Sequence, residues 1–311
     1  MSLTISQILA ASYPAVANEK NKPMNQWAEN AFLRELEAQG AIKRISFGPT
    51  LEHTLDYQSN PGASFLATDF QTTSLAKVEV LTAASYDPGQ LSVPITWSKG
   101  DEARNPSENQ KVALVSSLLD NAFTSHDSLI EENLFGTSND GFLGMASIIP
   151  DDGQGTPGGI SAVTESWWRN YSTTYLANFT DIEAQMTVAW NTASKGTGGA
   201  APTLIVSGSD AQAGYESTLQ TFQRFIDTSE ADGGFKKLAF KTSRYIFSQF
   251  GDDHMYFLNP KFFRLNVSKE AYRMKGETIE IPNANGYVVK IYSMLQTTTN
   301  NKSRLAVLRS A

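Results

Sequence analysis

The sequence predicts an α+β fold, and three observations lead there. Residues 107–135 read as one long amphipathic helix. Two shorter helical patterns follow at 181–194 and 209–227. Short strand-like runs occupy the rest without the regular strand and helix alternation of a doubly wound sheet. A chain of 311 residues can bury an ample core as one large domain or two moderate ones.

The first element is "NQWAENAFLRELEAQG" at 25–40, where Trp27, Ala31 and Leu36 recur at near-helical spacing and Gly40 supplies the stop. Next, "LEHTLDYQ" sets Leu51, His53, Leu55 and Tyr57 against Glu52, Thr54, Asp56 and Gln58, the period of a half-buried strand. "LSVPITW" does the same with Leu91, Val93, Ile95 and Trp97, and Pro94 marks it as an edge strand. About thirty residues rich in Ser, Thr, Ala and Gly separate the two runs, too many for a tight turn, and predict a projecting arm.

The strongest local signal is "NPSENQKVALVSSLLDNAFTSHDSLIEENLFG". Ser107 with Gln110 three residues on forms a capping-box pattern. Val115, Leu118, Leu119, Ala122, His126, Leu129, Ile130 and Leu134 then make one stripe that ends at Gly136, a rod about 40 Å long at 1.5 Å per residue. The second helix repeats the pattern with Thr180 and Glu183 as box and Ile182, Met186, Ala189 and Trp190 as buried face; the third turns Tyr215, Leu219, Phe222 and Ile226 inward. Strands are expected at 202–208, 234–241, 254–259, 286–294 and 304–310, with a small-residue boundary at 191–202.

Composition excludes several functions. With no cysteine there is no disulfide, thiolate metal site or cysteine nucleophile, which fits a reducing cytoplasm. The 25 Lys and Arg stand against 32 Asp and Glu, a net charge of −7 without a basic stripe, so tight nucleic-acid binding through phosphate neutralisation is not expected. The first twenty residues carry no positive charge before Lys20 and do not read as a secretory signal, and no run is long enough to span a bilayer.

Gly153, Gly155 and Gly158 in "GQGTPG" satisfy G-x-G-x-x-G, but a dinucleotide fingerprint needs a strand before and a helix N-terminus after the loop. Asp151 and Asp152 would repel phosphate and Pro157 interrupts the turn, so the loop reads as an ordinary one. No G-x-S-x-G elbow occurs; around Ser207, Ser209 and Asp210 start a helix as its N-cap. His53 and His126 fall on apolar faces and read as core histidines, and no two histidines share a ligand spacing. Gly251, Asp252, Asp253 and His254 precede the apolar "MYFLN" and read as a turn entering a buried strand, its acids solvated at the mouth. No residue is assigned a catalytic, cofactor-binding or metal role.

In their order along the chain, "NLFG", "GFLGM" at 141–145, the Gly-rich loop, "WWRN" at 167–170, "GFKKLAF", "DDHMYFLNPKFFRLNV" and "NNKSRLAVL" resemble the major capsid proteins of tailed bacteriophages with the HK97 fold. The resemblance covers nearly the whole chain and rests on order and spacing. It implies an N-terminal arm with a short helix at 1–47 and an extended hairpin loop at 48–98. A peripheral domain would span 99–199 with the spine helix at 107–135, an axial domain 200–285, and a return segment 286–311. It further implies no enzyme activity and no cofactor. Copies of the chain would join as hexamers and pentamers in an icosahedral shell, in the virion, assembled in the host cytoplasm. A separate scaffolding protein and a portal would be partners, and double-stranded DNA would be enclosed without sequence-specific binding and without a membrane. The alternatives are an encapsulin-like compartment shell, which shares that fold, and a soluble α+β hydrolase built on His254 with Asp252 or Asp253.

Overall fold

Two six-stranded sheets meet along one apolar seam. The computed structural model describes residues 4–9, 30–60, 62–66, 78–105, 107–194, 201–222, 238–282 and 284–311. Trp27 and Ile226, expected in helices, the residues 234–237 of an expected strand and residues 195–200 of the 191–202 boundary lie outside them.

The first sheet is built on its longest strand, Gly286–Thr299. Along one side this strand pairs antiparallel with Gly89–Ser98, from Gly286 opposite Ser98 to Leu295 opposite Gly89. Its other side takes Ile279–Glu280, Met274–Lys275 and Phe263–Ser268 in turn, and Ile42–Ile45 closes the sheet parallel to the last. Gly89–Ser98 is an edge strand, as Pro94 requires, since a proline cannot donate to a second ladder. Its alternation buries Ile95 and Trp97 with Val289 and Ile291 beneath Val115, Leu119, Ala122 and Phe123 of the long helix Glu108–Phe135. Residues 5–9, a single helical turn, add Ile5, Ile8 and Leu9 to that cluster. So short a helix is not stable alone and is held by this burial.

The second sheet runs in the order Tyr171–Tyr175, Ala306–Ser310, Met255–Leu258, Leu204–Ser207, Ser243–Phe247, Leu238–Phe240. Helices Ile182–Ala193 and Ser209–Phe222 cover one face, burying Ile182, Met186, Ala189, Ala211 and Tyr215. The other face, with Leu204, Val206, Tyr256, Leu258 and Val307, meets Leu265, Val267 and Leu295 of the first sheet. Covered on both faces, Leu204–Ser207 and Met255–Leu258 are buried throughout, which is why they read as unbroken apolar runs.

Into the same seam go Phe32 and Leu36 of helix Ala31–Ala38 and Ile130, Leu134 and Phe135 at the end of the long helix. Glu131, fully buried there, accepts hydrogen bonds from the backbone N–H of Phe32 (3.4 Å) and Leu33 (3.1 Å) and from Ser248 Oγ (2.8 Å). The carboxylate therefore serves the free amides at the start of one helix from near the end of another.

Several local expectations are corrected. The stripe of helix Ala31–Ala38 is Phe32, Glu35 and Leu36; Ala31 faces solvent. Leu129 is exposed, and Phe123 and Glu131 join the buried stripe of the long helix instead. Ser107 does cap that helix, accepting from the Gln110 N–H at 3.3 Å. Thr180 and Glu183 form no box: Asp181 stands at the cap, and its carboxylate accepts from the Leu176 N–H and Gln185 Nε2. Ser209 is the first helical residue, not the cap. The runs at 51–58 and 91–97, which flank the expected arm, lie in different ladders: Leu51–Asp56 pairs with Leu81–Tyr86, and Gly89–Ser98 with the 286–299 strand. Helix Ile182–Ala193 packs on the sheet holding 204–207 and 255–258, while Phe263–Ser268 belongs to the sheet under the long helix.

Candidate functional site

The longer of the two-stranded hairpins described outside both sheets spans residues 51–86. Leu51–Asp56 pairs antiparallel with Leu81–Tyr86, Leu51 opposite Tyr86 and Asp56 opposite Leu81, and the Tyr57 N–H extends the ladder to Val80 O at 3.1 Å. Its inner face carries Leu51, Leu55, Ala84 and Tyr86 onto Ala162 and Trp168. Tyr86 Oη donates to Thr299 O at 2.8 Å, and Trp168 Nε1 donates to Pro157 O at 3.0 Å. Tyr57 stacks on Trp167 with ring centroids 5.3 Å apart. His53 Nε2 lies 3.1 Å from Thr298 Oγ1, which also accepts from Asn266 Nδ2 at 2.8 Å. The stem is thus fixed to the body through aromatic rings and two polar ties. Farther out, Phe65 is 102 % exposed, Leu66 53 % and Leu81 63 %, large apolar side chains without cover.

Each chemical candidate has a position. Asp252, with φ of 44°, turns the chain between Gly251 and His254, whose N–H donates to Gly251 O at 3.2 Å, and the buried strand begins at Met255. His254 Nε2 is 3.0 Å from Asp151 Oδ2, with Arg309 Nη1 3.6 Å from the same oxygen. An open cleft of about 530 Å³ is lined by Ser209, Asp210, Gln249, Asp252, Asp253 and His254. Ser209 Oγ donates to Asp210 Oδ1 at 3.2 Å, so the hydroxyl and the imidazole of this cleft engage different partners. Among the described residues no group of three metal-ligating side chains gathers, and no helix is long and apolar enough to cross a membrane.

A Ser, His and Asp relay is present where the sequence reading did not look. Arg273 Nη2 donates to both Asp127 oxygens, at 2.5 and 2.7 Å, and His126 Nδ1 is 2.9 Å from Asp127 Oδ1. His126 Nε2 is 2.8 Å from Ser293 Oγ, which accepts the Arg273 N–H at 2.7 Å. A carboxylate only accepts, so the proton sits on Nδ1 and Nε2 receives the serine hydroxyl. His126 and Ser293 are both fully buried, and the pair locks the long helix to the 286–299 strand. Burial is the leading cause holding the His126 pKa below its usual value.

The G-x-G-x-x-G loop does not open a helix long enough to hold phosphate. Gly153, Gly155 and Gly158 have φ of 72°, 79° and 69°, and the carbonyls of Gly153 (3.5 Å) and Gln154 accept from the ammonium of Lys302, which is fully buried. Burial pushes the Lys302 amine down to about 8 from 10.5. Between those values the folded chain has released a proton that the unfolded chain still holds, so stability rises with pH across that window. Measured by urea unfolding, wild type should gain about 1–2 kcal/mol over Lys302→Met on going from pH 7 to 9.5. An unchanged difference would place the amine in water.

No family profile and no curated protein matches the chain. Solved structures do. The capsid asymmetric unit of cyanophage A-1(L) superposes with a TM-score of 0.64 at 14 % identity, covering 94 % of this chain and 95 % of that one. The capsid of a native GTA particle gives 0.63 at 10 % identity, covering 96 % and 98 %. The holo-SrpI encapsulin complex of Synechococcus elongatus PCC 7942 gives 0.56 at 11 % identity, covering 97 % and 94 %. The fold is therefore the HK97-like fold, matched over 94–97 % of the chain.

Proposed function

We infer that the chain is the repeating subunit of an icosahedral shell, the major capsid protein of a tailed bacteriophage. Copies would pack as hexamers and pentamers around double-stranded DNA. The observation that carries this reading is a shell fold matched over 94–97 % of the chain, combined with a hairpin whose outer part exposes Phe65 and Leu66. Apolar side chains of that size on a projecting element find cover only on another molecule, and many equal contacts around closed axes make modest interfaces strong together. The role is structural, without catalysis. Location in the virion, assembly in the host cytoplasm, a separate scaffolding protein and a portal belong to the same proposal. So does the division into an arm, an extended hairpin, a peripheral domain around the long helix and an axial domain. A net charge of −7 suits a container whose DNA is held without tight binding.

The encapsulin match supports a second reading, a compartment shell filled with protein. Negative-stain microscopy and sedimentation of the purified chain, alone and with a candidate scaffold, test both. Closed shells, tubes or capsomer rings support shell assembly, and nucleic-acid or protein content separates virus from compartment. A monomer under every condition overturns both and returns the cleft beside His254 to consideration.

A further inference from the structure

A histidine ties the hairpin stem to the body. His53 occupies the inner face of Leu51–Asp56, half-buried, its ring 6.0 Å from that of Tyr86 on the paired strand. Glu52 and Asp56, its neighbours on the same strand, lie on the opposite, exposed face. Across from His53 the body presents Thr298 Oγ1, Asn266 and the guanidinium of Arg264. Ala84 is its register partner and carries no charge. Burial first, and then the Arg264 charge, hold the imidazole pKa below 6.5, whereas Tyr86 stays neutral throughout the acid range because burial raises its pKa.

We propose that His53 is an acid-sensitive catch for the hairpin: the neutral imidazole ties the stem to Thr298, and its protonation against Arg264 loosens the stem while the two sheets stay folded. The sign follows from the position. A cation formed here loses water, gains no carboxylate and faces a like charge. Protonation is therefore easier when the stem lifts into solvent, and each unit by which the bound imidazole is depressed becomes a factor of about ten in favour of the lifted state at low pH. The rest of the stem contact is Tyr57 on Trp167 and Tyr86 Oη on Thr299 O, and a two-stranded ladder lifted off the body is only marginally stable, so its amides exchange when the joint opens. In a shell the same step would alter the contacts made by Phe65 and Leu66, but the catch is internal to one chain and holds whether or not the chain assembles.

Hydrogen exchange of the full-length protein, corrected for intrinsic rates and followed from pH 7.5 to 5.0 in one assembly state, tests this. Protection at 51–57 and 81–86 should fall about tenfold or more, while that of the long helix changes by less than about twofold. In His53→Gln the stem response should vanish, and in Arg264→Met it should shrink. Equal loosening of the stem in His53→Gln, or simultaneous loss of protection in stem and long helix, overturns the proposal. Absence of any change in wild-type stem protection does so as well.

Discussion

Gly208→Ala is expected to leave little soluble protein, and whatever folds should be destabilised by more than about 3 kcal/mol. A Cβ on Gly208 would stand 1.7 Å from Asp252 O and 2.9 Å from Asp252 N, and one on Gly251 would meet Gly208 N at 2.5 Å. The two backbones touch because strand Leu204–Ser207 and the turn before Met255 enter the second sheet side by side, paired from Ser207 opposite Met255. Neither obstacle is a flexible side chain that could swing away; relief requires parting two central strands. Gly159→Ala is the control. Its φ of 77° strains an alanine, but nothing lies within 4 Å of the added carbon, so about 1 kcal/mol is expected. Soluble yield and thermal melts by circular dichroism distinguish the two. A Gly208→Ala melt no lower than that of Gly159→Ala would mean that the strand ends are not in contact.

Replacing Phe65 and Leu66 together by Asp should abolish assembly while leaving the fold intact. Both side chains are exposed in the single chain, so their loss removes no core packing and the melting temperature should move by no more than about 2 °C. In an interface each would bury an apolar side chain worth roughly 1.5–3 kcal/mol, and a carboxylate in its place adds a desolvation cost at every copy. Repeated around each axis, that reverses the sign of association. Sedimentation should show capsomers or shells for wild type and monomer for the variant under the same conditions. Shells of normal yield from the variant would remove the hairpin from the interface.

How far the sequence revealed this molecule depended on the range of the interaction. The long helix was legible because its period and its Ser107 cap are local, and the buried strands 204–207 and 255–258 because apolar runs declare themselves. Strand partnership was not. Leu91 to Trp97 alternates as cleanly as Leu51 to Tyr57, and nothing nearby reveals that its partner lies near residue 290. A missed local signal did exist in Asn139-Asp140-Gly141-Phe142: Asp140 and Gly141, with φ of 45° and 89°, turn a two-residue hairpin between Ser138–Asn139 and Phe142–Leu143, as Asp-Gly turns do. The polar clusters were the least legible. Glu131, Gln296 and Ser293 are fully buried, each with partners distant in sequence. The reading of Asp252 and Asp253 as the mouth of a buried strand agrees with where the turn and strand lie, because glycine, two acids and an apolar run specify that transition locally.

The place of the last strands has a consequence for synthesis. Gly286–Thr299 is the axis of one sheet, and Ala306–Ser310 lies between Tyr171–Tyr175 and Met255–Leu258 in the other. Until those residues have been made, the first sheet lacks its axis, the second lacks the strand that joins Tyr171–Tyr175 to the rest, and the long helix has only one edge strand on which to rest. Both sheets therefore close late in synthesis, through pairings between distant segments that form slowly. A nascent chain that has not reached these strands has neither sheet finished, and so presents no finished surface to another molecule.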